Sequence, residues 1–485
     1  GRGGRGRGGR GGRHNQQRLR IGHAGMKDKR GVTCQFVTVP SSTPTFSILR
    51  ANQSRTSGGG HTQSGGAALL RVGNFSFVKD DLRLGRLKGN RFNIVLRNLQ
   101  LGQSESTYGD LRTILQQNVD TAATDLSTFG FINYFGMQRF GAFQDTHLTG
   151  IAVFQKNFQK AVDTILEPKK RERDNIREAR EAWAKRFDAI EEDDKDNRAK
   201  AEQEAAERLL KECGRFMHNE KLLCQALASR TLDYYRAYAC INKTMRMMFV
   251  HAVQSYCWNY LATYRIEHFL KDQGQEGAIV GDLVLVDDTA LPEESTNDEG
   301  TLPEVHVVTE DDVAKSKYTL DQVVLPLVGT STVMPLYGES ILSNLLKKHG
   351  LTVQDIKNFS DKNFSCNGSY RKLICRPQDV AYELMEYSDP LEPLLQTDLM
   401  KLDGIELQCK RQDTKRLKEG GDAAETKVDK LFGMRVEFTL PSSAYATIAL
   451  RELMKRPTSS DFQGALKLHN DEGATQKAVE QIVEP

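Results

Sequence analysis

One carboxylate, Asp28, stands among three cations, Lys27, Lys29 and Arg30, in a segment bounded by Gly25 and Gly31. Nearby positive charge lowers a carboxylate's pKa and keeps it ionised. An ionised, oriented carboxylate can attack or stabilise an anomeric carbon, and the cations beside it can hold a phosphate backbone. On spacing alone, a charged surface turn accounts for the same residues. A second stretch, Phe131 to Gly141, gathers aromatics, Asn133, Gln138, Arg139 and two glycines. A base taken out of its stack needs that set: a ring to stack on, amides for the base edge and a cation for phosphate. An aromatic core strand ending in a turn is the competing reading.

The elements that must position these residues follow from pattern. Val32 to Val39 has the β-branched content of a strand closed by Pro40, and strand-like stretches recur at Leu69–Val78 and Phe92–Asn98. Residues 110–126 read as a helix with Asp110 as its N-cap. Residues 160–212 form a highly charged helical run broken by Pro168, with opposite charges at i,i+4 spacing around Glu178, Glu181 and Lys185. A solvated long helix or helical hairpin accounts for that run better than a dedicated RNA-binding arm. Residues 220–270 continue helically with many aromatics, among them Tyr234, Tyr256 and Trp258, as expected for the core of a second domain. Residues 287–312 hold ten acids and no Lys or Arg, which predicts a solvated loop that nucleic acid avoids. Residues 410–430 are a further charged stretch. Met434–Leu440 then alternates like a strand, and Ala444–Lys455 reads as a helix ended by Pro457.

The 485 residues suggest two or three domains. A hydrophobic content of 39% with 27% charged residues excludes a wholly disordered or fibrous chain. No uninterrupted apolar run of about 18 residues is present, which excludes a membrane-spanning helix. The net charge of +3 hides an asymmetry: residues 1–30 carry ten Lys+Arg and one acid, leaving the remainder at −6. Residues 1–13 are an Arg-Gly tract of the kind that binds single-stranded nucleic acid, or serves as a solubilising tail or flexible insertion. Residues 51–66 read as a flexible loop. The eight cysteines include no C-x-x-C pair, so zinc ribbons and a disulfide framework are not expected, and reduced thiols in the cytoplasm or nucleus are. No apolar segment follows the N-terminus, so no secretory signal is expected.

The two chemical stretches together resemble the TruD family of tRNA pseudouridine synthases, in its eukaryotic branch. The family's Gly-x-Lys-Asp-Lys/Arg-x-x-x-Thr-x-Gln motif is matched from Gly25 through Asp28 and Thr33 to Gln35. Its Asn-Tyr-Phe-Gly-x-Gln-Arg-Phe-Gly motif is matched by Asn133 to Gly141. Further matches run in family order: Leu84-Gly85 with Gly89-Asn90-Arg91-Phe92, His251-Ala252 with Gln254-Ser255, Trp258-Asn259, Gly281-Asp282-Leu283-Val284, and Phe438-Thr439-Leu440-Pro441 through Tyr445 to Leu453. The resemblance covers about residues 21–456.

The resemblance implies an α+β fold: a pseudouridine synthase catalytic domain of mixed and antiparallel sheet flanked by helices, interrupted by an inserted TRUD-type domain with a helical first half. The expected limits are a disordered Arg-Gly tract at 1–20 and the first part of the catalytic domain at 21–156. The insertion follows at 157–367, the second part of the catalytic domain at 368–456, and a tail or helix at 457–485. It also implies an isomerase that converts uridine to pseudouridine in RNA without cofactor or metal. Asp28 would be the catalytic carboxylate, driving glycosidic cleavage by attack on the sugar or by deprotonation at C2′. Phe135 would stack on the uracil and Asn133 would help position it, with Lys27, Gln138 and Arg139 supporting the substrate and Lys29, Arg30 and Arg91 holding RNA backbone. The expected partner is RNA: tRNA first, then small nuclear and messenger RNA. No membrane is expected, the chain is expected to act as a monomer, and the expected compartment is the nucleus, with the cytoplasm next. The alternative is a non-catalytic RNA-binding protein that keeps the scaffold and the Arg-Gly arm. Family members also carry a Phe-x-Val-x-Glu-like strand and a basic residue ahead of the aspartate motif. Here only the Arg-Gly tract precedes Arg18 and Gly1 is not an initiator, so a fragment with the tract as an insertion is expected.

Overall fold

The computed structural model describes residues 21–25, 27–28, 31–53, 70–83, 87–101, 108–141, 143–170, 172–272, 274, 276–287, 302–361, 364–407, 431–458 and 462. The Arg-Gly tract, Lys29, Arg30, Leu84-Gly85, Cys409 and the 410–430 stretch lie outside the described residues, as do most of the 51–66 loop, the acids from Asp288 to Glu299 and most of the 457–485 tail. The chain divides into two compact units, one made of Gly1–Lys88 with Leu391–Lys427 and the other of Gly89–Pro390 with Val428–Pro485.

In the first unit a short antiparallel pair, Gly22–His23 with Val37–Thr38, brackets the Asp28 segment. The strand expected over Val32–Val39 is confined to these two residues. The described part of the Leu69–Val78 stretch forms no strand. There the Asn52 side chain takes the place of a neighbouring strand: the Val72 amide donates to Asn52 Oδ1 at 2.6 Å and Asn52 Nδ2 donates to the Val72 carbonyl at 2.9 Å.

The second unit has an α+β architecture. A three-stranded antiparallel sheet runs in the order Gln378–Tyr387, Leu431–Pro441, Gly89–Leu96. Its central strand buries Phe432, Met434, Val436, Phe438 and Leu440, every second residue, as strand geometry requires. Those side chains meet Leu115, Val119 and Leu126 of the helix Tyr108–Phe129 and Ile448, Ala449 and Leu453 of the helix Ala446–Met454. Asp110 lies inside the former helix, two residues after its start, so it is not the expected N-cap.

The charged run does not form one long helix. It divides into Phe158–Leu166, Asp174–Ala184 and Lys195–Glu212. The second break falls where the Asp194 carboxylate caps the next helix by accepting from the Asn197 amide at 3.1 Å. These helices are not merely solvated, because Ala179, Trp183, Ala206 and Leu209 are fully buried. The following segment is likewise interrupted, into His218–Ser229, Tyr234–Ala239 and Lys243–Tyr264, with Asp233 and Asn242 as side-chain caps. Trp258 in the last helix is fully buried, in accord with the expected core.

A four-stranded antiparallel sheet packs here too, in the order Ser369–Lys372, Val323–Leu327, Leu283–Leu285, Val305–Val307. The end of the acidic stretch is therefore structured rather than a solvated loop. Beyond Val305–Val307, Thr309 and Asp312 form a reciprocal capping box on the helix Glu310–Ala314, which buries Asp312. Among the described residues no helix is long and apolar enough to cross a membrane.

Candidate active site

The Asn133–Gly141 loop is set by a turn that only glycine accommodates easily. The helix Tyr108–Phe129 ends at Gly130, whose φ of +73° is left-handed and whose added Cβ would collide with the Cys375 carbonyl. The close approach lets Phe131–Ile132 pair antiparallel with Ile374–Cys375. Immediately before that pair, the strand Ser369–Lys372 is the edge of the four-stranded sheet. Residues 369–375 thus join a rigid sheet to the loop.

Arg371 lies in that joining segment and reaches into the loop. Its Nε donates to the Asn133 carbonyl at 2.8 Å and its Nη2 donates to Asn133 Oδ1 at 2.8 Å. Its Nη1 donates to the Ser443 carbonyl at 2.7 Å. The Asn133 side chain completes its own set by donating to the Lys372 carbonyl at 3.2 Å, while its amide donates to the Leu373 carbonyl at 2.9 Å. Arg371 is 3% exposed and Asn133 7%. A charge so buried is tolerable only when its donors are satisfied, and here three oxygens accept from it.

The same guanidinium lies over aromatic rings, 4.1 Å from the centre of Phe135, 5.4 Å from Trp258 and 5.7 Å from Tyr445. Cations are attracted to ring faces at such distances. Phe135 is 3% exposed, and Trp258 and Tyr445 meet it edge-on at 5.7 and 6.2 Å. Its main chain is gripped by one side chain: the Phe135 amide donates to Asn259 Oδ1 at 2.8 Å, and Asn259 Nδ2 donates to the Phe135 carbonyl at 3.2 Å. Tyr134 anchors the other side of the loop, its hydroxyl 2.9 Å from Thr263 Oγ1, and burial pushes its phenol above the ordinary value. Gln138 and Arg139 lie on a single 3-10 turn, Met137–Arg139. The Arg139 guanidinium is 5.3 Å from the Phe135 ring centre. A base can therefore stack on Phe135 only after a neighbouring side chain has moved aside.

The structure brings Asn133, Phe135, Gln138 and Arg139 onto one loop. Arg91 sits in the sheet strand Gly89–Leu96 opposite Thr439, with its guanidinium ion-paired to Glu437 and its side chain largely exposed. In the first unit Asp28 is exposed and Lys27 half-buried, following a bend in which His23 Nδ1 lies 3.1 Å from the Gly25 carbonyl. Lys29 and Arg30, expected to hold RNA backbone, lie outside the described residues. Sequence reasoning missed Arg371, and it gave Asn259, Trp258 and Tyr445 no role although each stood in a matched motif. The one trace of Arg371 was the basic pair Arg371-Lys372 just ahead of the apolar Leu373-Ile374-Cys375. Among the described residues no three His, Cys, Asp or Glu side chains are grouped to hold a metal ion.

A family model described as tRNA pseudouridine synthase D (TruD) matches residues 13–453. The multisubstrate pseudouridine synthase 7 of Schizosaccharomyces pombe is 30% identical over 460 residues, covering 91% of this chain and 59% of that protein. The pseudouridylate synthase 7 homolog of Homo sapiens is 31% identical over 450 residues, covering 92% of this chain and 56% of that protein. The chain thus spans a little over half the length of these relatives. A TruD crystal structure from Methanosarcina mazei shares the fold, with a TM-score of 0.53 and 24% identity over 90% of this chain and 81% of that one.

Proposed function

The chain belongs to the TruD family of tRNA pseudouridine synthases, and on that premise we propose that it isomerises uridine to pseudouridine in RNA, with Asp28 as the reacting carboxylate. The observation that carries the reading is the Asn133–Phe135–Arg371 arrangement, a buried amide and ring held by one guanidinium on the loop whose motif is intact. The substrate read first is tRNA.

The chemistry moves one bond. The N1–C1′ bond of uridine breaks, the uracil turns, and a C5–C1′ bond forms. C5 gives up its proton and N1 gains one, so the product is an isomer. Asp28 assists the cleavage either by attack on C1′, forming an ester bond that breaks when C5 joins C1′, or by taking a proton from C2′ that it returns as C5 joins C1′. The uridine must first leave its stack at a cost of a few kcal/mol, which an aromatic platform partly restores. Uracil departs with negative charge. Arg371 and Arg139, both close to the Phe135 ring, supply positive charge near the place where that negative charge develops. Burial of Phe135 and Asn133 keeps bulk water from the loosened base.

The test incubates tRNA with the wild type and with Asp28→Ala, then maps pseudouridine by carbodiimide treatment and primer extension. Modification by the wild type and none by the variant is the expected result. If both bind the RNA and neither modifies it, the chain is a non-catalytic RNA-binding protein.

A further inference from the structure

A row of partly exposed aromatic side chains leaves the candidate site within the second unit. It begins at Phe140, the residue after Arg139. The Phe140 carbonyl accepts from the amide of Thr146 at 3.1 Å, which seats the helix Thr146–Phe154 directly on the loop. His147 in that helix meets Phe140 edge-on at 5.7 Å and Tyr256 at 4.7 Å, with those two rings tilted by 31°. Tyr256 in turn meets His349 at 6.0 Å. Four rings from three separate parts of the chain therefore form one continuous series, and all four are partly exposed.

Tyr256 belongs to Lys243–Tyr264, the helix whose Asn259 grips Phe135. Tyr260 follows four residues after Tyr256, about one turn on, and is 37% exposed. At the far end, burial first and then the nearby exposed Lys160 and Lys348 disfavour the protonated form of His349. The nearest acid to His147, Asp145, is engaged by Lys169 at 2.5 Å, so its negative charge is offset. Rings that are partly exposed, followed by the exposed Tyr260 and by cations at the far end, and continuous with the candidate base-binding loop, fit a strand that offers both π-faces and phosphates. Single-stranded RNA is bound in this way, by stacking and by charge.

We propose that the row Phe140, His147, Tyr256 and His349, with Tyr260 beside it and Lys160 and Lys348 at its end, is a track for the single-stranded ribonucleotides that flank the target uridine. The proposal rests on the reading of the chain as an RNA-modifying enzyme. A base stacked on a ring in such a track is worth about 1–3 kcal/mol, which corresponds to an affinity change of about five- to 150-fold.

The test measures binding by fluorescence anisotropy, using a single-stranded RNA of about twelve nucleotides centred on uridine and a second of about five. Tyr260→Ala is expected to weaken binding of the longer RNA at least fivefold, with Tyr260→Phe binding like the wild type. Lys348→Ala is expected to lower the slope of log affinity against log salt by about 0.7, the value for one phosphate contact on a single strand. The shorter RNA, which cannot extend along the row, shows neither penalty. Both altered residues are exposed, and thermal melts confirm that the variants fold. If Tyr260→Ala and Lys348→Ala bind the longer RNA as tightly and with the same salt slope as the wild type, the track is overturned, even if the enzyme is active. If the wild type forms no pseudouridine while these penalties persist, the enzymatic reading fails and the track stands.

Discussion

The guanidinium carbon of Arg371 lies 4.1 Å from the centre of the Phe135 ring, while two nitrogens of the same group bond Asn133. One buried cation therefore sets both the ring and the amide of the candidate base-binding loop. It also reaches the corner after the strand Leu431–Pro441 through the Ser443 carbonyl. The loop is held from outside its own segment.

Replacing that cation tests its positioning role. Arg371→Lys keeps the charge but cannot reproduce three directed bonds from a planar fork. We expect pseudouridine formation to fall at least a hundredfold, with about 3 kcal/mol of stability lost, since buried acceptors are left without donors. Single-turnover rates and urea unfolding measure the two effects. Wild-type activity in this variant would remove Arg371 from the site.

Asn133→Asp separates the two jobs of the amide. A carboxylate still accepts from Arg371, but it cannot donate to the Lys372 carbonyl. The fold should survive with a loss of about 1–2 kcal/mol. Activity should drop by at least tenfold, read as pseudouridine formed per hour on tRNA.

Gly130→Ala probes the turn that delivers the loop. Its φ of +73° and the approach of the Cys375 carbonyl leave no room for a Cβ. A loss of about 1–3 kcal/mol is expected, visible as a lower urea midpoint. A loop whose pairing with Ile374–Cys375 is weakened should also lose activity.

Acid should destabilise the second unit through His147. Burial, with His349 nearby, holds its imidazole below the usual value of 6.5. The folded ring thus binds a proton less readily than the unfolded one. Stability from this group is present above about pH 6.5 and is lost as pH falls from there through the folded pKa. The urea midpoint of the wild type should fall between about pH 7 and pH 5. His147→Phe, which keeps a ring between Phe140 and Tyr256, should show a flatter profile.

Much of the fold was legible because burial follows local period. The alternation at Phe432, Met434, Val436, Phe438 and Leu440 and the helical spacing of Leu115, Val119 and Leu126 each announce a face. What misled was competition from short-range polar groups. Asp194, Asp233 and Asn242 capped new helices where the composition favoured continuous ones. Asn52 replaced a strand partner at Val72, and the Thr309–Asp312 box folded the end of an acidic stretch. In each case a single side chain outweighed the average of its neighbours.

By itself the sequence determined the family, through motifs whose residues are adjacent in the chain: Gly25 to Gln35 and Asn133 to Gly141. It also determined which faces of the long strands and helices are apolar. Only the tertiary structure decided that Arg371 meets Asn133 across 238 positions, that Asn259 grips Phe135 across 124, and that rings at 140, 147, 256 and 349 stand in one row. A periodic pattern says that a side chain is buried, but not against what. The partner is chosen by strand pairing and helix packing, which join segments far apart in the chain, and the candidate site is built from those long-range contacts.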